Sequence, residues 1–132
     1  MEVYQKAMTE NEIASVVVDL CFRVHTQYGP GLLERVYEEI LDYELKKMGF
    51  AVSRQKSIPL IHEEIFIQVA YRADLIINDK VLLELKSVED LPRNYYKIVI
   101  TYLKLADLRL GLLVNFNVGL IKDGIHRIVN NL

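Results

Sequence analysis

The chain has 132 residues, enough for one domain over residues 1–132 with a substantial core, and 52% of them are apolar, which excludes a disordered chain. No apolar run approaches the roughly 20 residues that cross a bilayer, so no membrane association is expected. The opening Met1-Glu2-Val3-Tyr4 stretch lacks the basic and apolar regions of a secretory signal. Cys21 is the single cysteine, so no internal disulfide can form and a cytoplasmic location is expected. The net charge of −2 speaks against a dedicated, strongly basic nucleic-acid binder, although local patches matter more than the sum.

Thr9-Glu10-Asn11-Glu12 reads as a capping box that opens a helix. Ile13, Val16, Val17, Leu20 and Val24 follow at helical spacing, and Tyr28-Gly29-Pro30-Gly31 ends the run. A second helix carries Leu33, Val36, Tyr37, Ile40, Leu41 and Leu45 as its apolar stripe and closes at Gly49. Extended structure begins near Phe50. Ile58–Ile61 and Ile65–Tyr71 flank the acidic turn His62-Glu63-Glu64, and strands at 71–77 and 81–87 follow. Pro92 predicts the first turn of a third helix, with Tyr95, Ile98, Tyr102 and Leu105 on one side. Leu110–Phe116 suits a buried central strand. Val118–Ile121 and Ile125–Val129 flank Asp123-Gly124, a strong hairpin signal. The order is α-α-β-β-β-β-α-β-β, which implies an α/β (α+β) protein built on a mixed sheet with helices packed against it.

Asp74, Glu84 and Lys86 stand inside runs that otherwise read as buried strand, and ionised side chains are seldom buried without a partner, a metal or a task. Glu84 and Lys86 are two apart and share a face. Whether Asp74 joins them depends on the turn. A two-residue loop at Asn78-Asp79 pairs Asp74 with Leu83; a three-residue loop through Lys80 sets Asp74 opposite Glu84. In the second case the side chains start roughly 5 Å apart, and two like charges so placed need a cation or a proton between them. Mg²⁺ takes hard oxygen ligands. Asp74, Glu84 and the Leu85 carbonyl could provide them, and Lys86 could orient or help deprotonate water, or neutralise developing charge. The alternative is a surface hairpin with an ordinary Glu and Lys on its polar face. Arg72, which would lie beside Lys86 under the longer loop, and Lys97 are candidates for phosphate contacts.

The segment from Val24 to Glu38, with Gly31, Glu34 and Tyr37, closely resembles the signature of the GxxExxY protein family. Gln55, Tyr71-Arg72-Ala73-Asp74, Glu84-Leu85-Lys86, Tyr102-Leu103-Lys104 and Gly111–Phe116 are similar to that family as well, so the likeness runs from about residue 10 to the end. The family is assigned to the PD-(D/E)xK nuclease superfamily. The resemblance implies a restriction-endonuclease-like α-β-β-β-α-β core, here with an extra N-terminal helix and a C-terminal hairpin. It also implies Asp74, Glu84 and Lys86 as motif residues. By the same resemblance Glu34 points at the metal from a helix, and Tyr37, on the same helix face, hydrogen-bonds Glu34 or phosphate. One departure is Ile98, where the family pattern frequently carries a supporting Gln.

Two functions are therefore expected in competition. One is a nuclease dependent on Mg²⁺ or Mn²⁺ that acts on nucleic acid, DNA first, with a homodimer or protein partner needed for specific cutting. The other is a catalytically inactive nucleic-acid-binding or protein-interaction module on the same fold.

Overall fold

A computed structural model describes residues 7–132; the opening stretch read for a signal lies outside them. Helix α1 (Glu10–Tyr28) starts at Thr9, whose side chain accepts from the Glu12 amide while Glu12 answers to the Thr9 amide, so the capping box is formed. It stops at Gly29, whose φ of 74° with extended ψ is a conformation that glycine alone adopts readily. Helix α2 (Glu34–Lys47) follows. Leu33, expected on its apolar stripe, is instead its N-cap and 64% exposed, because the chain enters the helix from the solvent side. Strands β1 (Val52–His62), β2 (Ile65–Ile77) and β3 (Val81–Lys86), helix α3 (Tyr95–Ala106), and strands β4 (Leu110–Asn115) and β5 (Ile125–Val129) complete the order.

The five strands lie in one sheet in chain order; β3 and β4 are parallel and every other neighbouring pair is antiparallel. The parallel pair requires the crossover that α3 supplies. One apolar cluster joins α1 and α2 to Leu75, Ile77, Leu83, Leu85, Leu112 and Val114. A second joins Val99 and Leu103 of α3 to Tyr71, Ala73, Ile76, Leu82 and Leu113. The sheet is thus covered on both faces, which is why β3 and β4 read as nearly unbroken apolar runs. No described helix is long and apolar enough to cross a membrane.

Three expectations are corrected. Residues 65–71 and 71–77 form a single strand, since no turn residue interrupts them. The C-terminal hairpin joins β5 to β4, not to 118–121, where the chain makes a turn and a short 3-10 stretch at Ile121–Asp123. Gly124 has an ordinary φ of −98° and is needed for space: a Cβ there would stand 2.0 Å from the Asn115 carbonyl oxygen. Pro92 precedes α3 rather than opening it, and its carbonyl accepts from Tyr95. His126, on β5, has Nδ1 3.0 Å from the Tyr96 hydroxyl.

Candidate active site

The register settles the turn. Ile77 pairs with Val81, Ile76 with Leu82 and Leu75 with Leu83, which leaves the loop Asn78-Asp79-Lys80 and brings Asp74 opposite Glu84. Asn78 and Asp79 hold positive φ of 53° and 54°, a conformation these short polar residues tolerate. Asn78 ties the loop to the start of β1 through two hydrogen bonds with Ala51.

Beyond Leu75, β2 leaves β3. Carboxylates then take the place of the missing ladder. The Asp74 amide donates to Glu84 Oε1 at 3.2 Å, and the Leu85 amide donates to Asp74 Oδ2 at 2.8 Å. Glu84 is only 4% exposed. Burial and the charge of Asp74 push its carboxyl up to about 8, against the opposing pull of the Asp74 amide and Lys86; Glu34 adds to the rise. Burial also raises Asp74; the Leu85 amide, the Gln55 amide and Lys86 oppose the rise, and Glu38 adds to it. Among the described residues no lysine or arginine forms an ion pair with either carboxylate.

Helix α2 contributes a carboxylate that the sequence reading missed. Glu38 is 6% exposed and faces the sheet, where Arg54 Nε donates to Oε2 at 2.7 Å. Gln55 Nε2 donates both to Glu38 Oε1 at 2.5 Å and to Asp74 Oδ1 at 3.1 Å. Its backbone φ is +50°, although it stands within a strand. A non-glycine residue in that region is strained, and such strain concentrates where a side chain must be aimed. Here the side chain is an amide set between two carboxylates. The signal for Glu38 was its i, i+4 spacing from Glu34, which places both on one helix face.

Glu34, Arg35, Glu38, Gln55, Asp74 and Leu85 line one cavity of about 340 Å³. Glu34 is exposed at its rim, on the first turn of α2. The loop before it is anchored: the Tyr37 hydroxyl donates to the Gly29 carbonyl at 2.5 Å and accepts from Leu32 at 3.2 Å, while Ser87, just past β3, donates to the Leu32 carbonyl at 3.1 Å. Tyr37 itself is fully buried, stacked on Phe116 with centroids 4.0 Å apart, and so lies behind the cavity rather than on it. His25 supports the same corner, with Nε2 2.9 Å from the Val118 carbonyl.

Lys86 sits with Nζ 4.4 Å from the centre of the Tyr95 ring on α3. Burial pulls its pKa down, but the Tyr95 hydroxyl and the charges of Glu34 and Glu84 outweigh this and hold it above the ordinary lysine value. Arg72 does not reach Lys86. Because β2 has already left β3, its guanidinium turns to Ser57 of β1, 3.2 Å away. Lys97 is exposed on α3, outside the cavity lining. The cavity lining therefore takes in Glu34, Asp74 and Leu85 and adds Glu38 and Gln55; Glu84 and Lys86 lie outside that lining, Glu84 joined to it by its bond with the Asp74 amide and Lys86 by the charges of Glu34 and Glu84, while Tyr37, Arg72 and Lys97 stand apart.

A divalent cation fits the chemistry of these donors: buried Glu84 and half-buried Asp74 have no cationic side chain paired with them among the described residues, and a bound ion would neutralise both. Among the described residues no three acidic, histidine or cysteine side chains stand close enough to form a cage by themselves. Small hard cations do not require one, since they keep several waters and use one or two carboxylates.

A five-stranded mixed sheet with helices on both faces and an Asp, Glu-x-Lys set where two strands part is a restriction-endonuclease-like arrangement. The model of one family, the PD-(D/E)XK nuclease superfamily, matches residues 11–128, and the chain belongs to that superfamily, whose members typically use divalent metals. The matched span runs from α1 to β5 and includes every residue of the site. Comparisons with curated proteins and with solved structures return no match.

Proposed function

We propose that the protein is a divalent-metal-dependent nuclease of the GxxExxY branch, hydrolysing phosphodiester bonds of DNA with Mg²⁺ or Mn²⁺. The observation that carries this reading is the Asp74–Glu84 pair: a half-buried and a buried carboxylate side by side at the parting of β2 and β3, without a cationic partner among the described residues and beside Lys86. Asp74, Glu84 and the Leu85 carbonyl would hold the ion, with Glu34 completing the acidic rim. When bound, the ion polarises the scissile phosphate and acidifies a water. Lys86 remains an ammonium, so it neutralises charge developing on the phosphate and orients water rather than accepting a proton. Gln55 holds Asp74 in place, and Tyr37 serves by fixing the loop that presents Glu34. Arg72 and Lys97 are free to meet phosphates flanking the cut rather than at it.

The test is Mn²⁺ binding by calorimetry on the wild type and on Glu84→Ala, with cleavage of mixed DNA and RNA substrates followed in the same samples. Binding and DNA cleavage are expected in the wild type and both should vanish in the variant. A folded wild type indifferent to metal would refute the reading and favour a non-catalytic module.

A further inference from the structure

Lys86 ends β3, and its main chain is held to β4. The Lys86 carbonyl accepts from the Phe116 amide at 2.9 Å. Two residues further on, Asn115 of β4, itself 4% exposed, meets both backbone groups of Val88: Oδ1 accepts from the amide at 3.1 Å and Nδ2 donates to the carbonyl at 2.9 Å. The side chain has no such clamp. It is half-buried at the end of a flexible four-carbon stem, and among the described residues it forms no ion pair. Glu34 and Glu84 attract the ammonium through charge, yet neither is paired with it.

The group that does meet the ammonium is Tyr95, whose ring centre lies 4.4 Å from Nζ. Tyr95 is itself well fixed. It is the first residue of α3, its amide donates to the Pro92 carbonyl at 3.1 Å, and its half-buried ring packs against the apolar cluster that joins α3 to the sheet. A carboxylate in that place would also hold the lysine, but it would cancel the charge and occupy the N–H donors. An aromatic face attracts a cation through its quadrupole and leaves the charge in place. A lysine that is to meet charge developing on a phosphate needs a partner of the second kind.

We infer that Tyr95 is a positioning residue, its ring face setting the Lys86 ammonium in place while leaving it free to act on phosphate. The inference rests on the nuclease reading above and brings α3 into the site.

Three measurements on the full chain, as wild type, Tyr95→Leu and Tyr95→Phe, test this: carbon–proton NMR of the lysine ε-methylene groups in metal-free protein, Mn²⁺ binding by calorimetry, and the single-turnover rate of DNA cleavage at saturating Mn²⁺. Lys86→Met identifies the Lys86 signal by its loss. That signal should stand upfield of the other lysines, where the Tyr95 ring current puts it, remain there in Tyr95→Phe and return to the common position in Tyr95→Leu. Cleavage by Tyr95→Leu should fall about tenfold, Tyr95→Phe should stay within about twofold of the wild type, and Mn²⁺ affinity should be equal in all three. A role in packing alone would lower metal affinity and rate together. The wild-type NMR shift keeps the inference open to refutation even if the Leu variant does not fold. An unshifted Lys86 signal, a Leu variant that cleaves at the wild-type rate, or a Phe variant as slow as the Leu variant would overturn it while the nuclease reading stands. A wild type that neither binds Mn²⁺ nor cleaves DNA would overturn both.

Discussion

Replacing Glu84 by Gln should stabilise the metal-free protein at alkaline pH while abolishing its affinity for divalent cations. The carboxyl is 4% exposed, and burial with the neighbouring Asp74 charge lifts it from 4.5 to about 8. An acid raised on folding ionises first in the unfolded chain. Below about pH 4.5 both states are protonated and nothing is lost; between there and about pH 8 stability falls, and above it the loss is constant. At about 1.4 kcal/mol per unit, the rise from 4.5 to about 8 removes up to about 5 kcal/mol by pH 8. Gln has the same shape and keeps an oxygen to accept from the Asp74 amide, but it cannot ionise. Urea melts of both proteins from pH 5 to 9 in chelator read the difference directly. Asp74, raised in the same direction, is coupled to Glu84 through charge, so the difference between the two curves reads the pair. The variant should be the more stable by about 2 to 5 kcal/mol at pH 8, with the gap closing towards pH 5. Added Mn²⁺ should raise only the wild type. Parallel curves, or a variant less stable at pH 8, would show that Glu84 is not a desolvated and crowded carboxyl.

Two further substitutions probe the supports of the site. Gln55→Gly relieves a φ of +50° but deletes the amide between Glu38 and Asp74, so Mn²⁺ affinity should drop about tenfold; an unchanged titration would leave Gln55 without its positioning role. Tyr37→Phe keeps the stack on Phe116 and strands the Gly29 carbonyl and the Leu32 amide, a loss of about 1–3 kcal/mol by urea denaturation. A change below roughly 0.5 kcal/mol would mean that the hydroxyl does not anchor the loop.

Much of this fold is local and so was readable from the chain. Thr9 and Glu12 satisfy each other's backbone within one helical turn, and the continuous apolar runs of β3 and β4 reflect a sheet covered on both faces. The Asp74, Glu84 and Lys86 set was legible because charge within a buried run needs a reason. What escaped depends on contacts distant in sequence. Asn-Asp is compatible with either loop, and only the packing of Leu75 and Ile77 with Leu83 and Leu85 beneath α1 and α2 selects the longer one. Glu34 and Glu38 share a helix face, and which of them reaches the sheet follows from how Tyr37 and Ser87 hold the Gly29–Leu32 loop. Asp123-Gly124 has the composition of a tight hairpin, yet β5 finds its partner in β4, and Gly124 answers to the nearby Asn115 carbonyl instead.

One event, the parting of β2 from β3, accounts for both the site and the projecting outer half of the β1–β2 hairpin. The two strands share only three paired positions, from Leu75–Leu83 to Ile77–Val81. Just beyond them the amides of Asp74 and Leu85 would be orphaned in a poorly solvated wedge, and unpaired buried amides are costly. The side chains of Glu84 and Asp74 accept from them instead. Those bonds favour the ionised carboxylates while burial opposes them, and for both groups burial prevails. A cation bound there would favour the ionised forms of both, which suits the wedge to the metal proposed for it. The same departure leaves β2 with β1 as its one partner from Ala73 outward, so the ribbon projects with Ile61, Ile65 and Phe66 exposed. Closing the wedge by continuing the β2–β3 ladder would satisfy the amides directly, but it would also take away the carboxylates' hydrogen bonds and the free ribbon together.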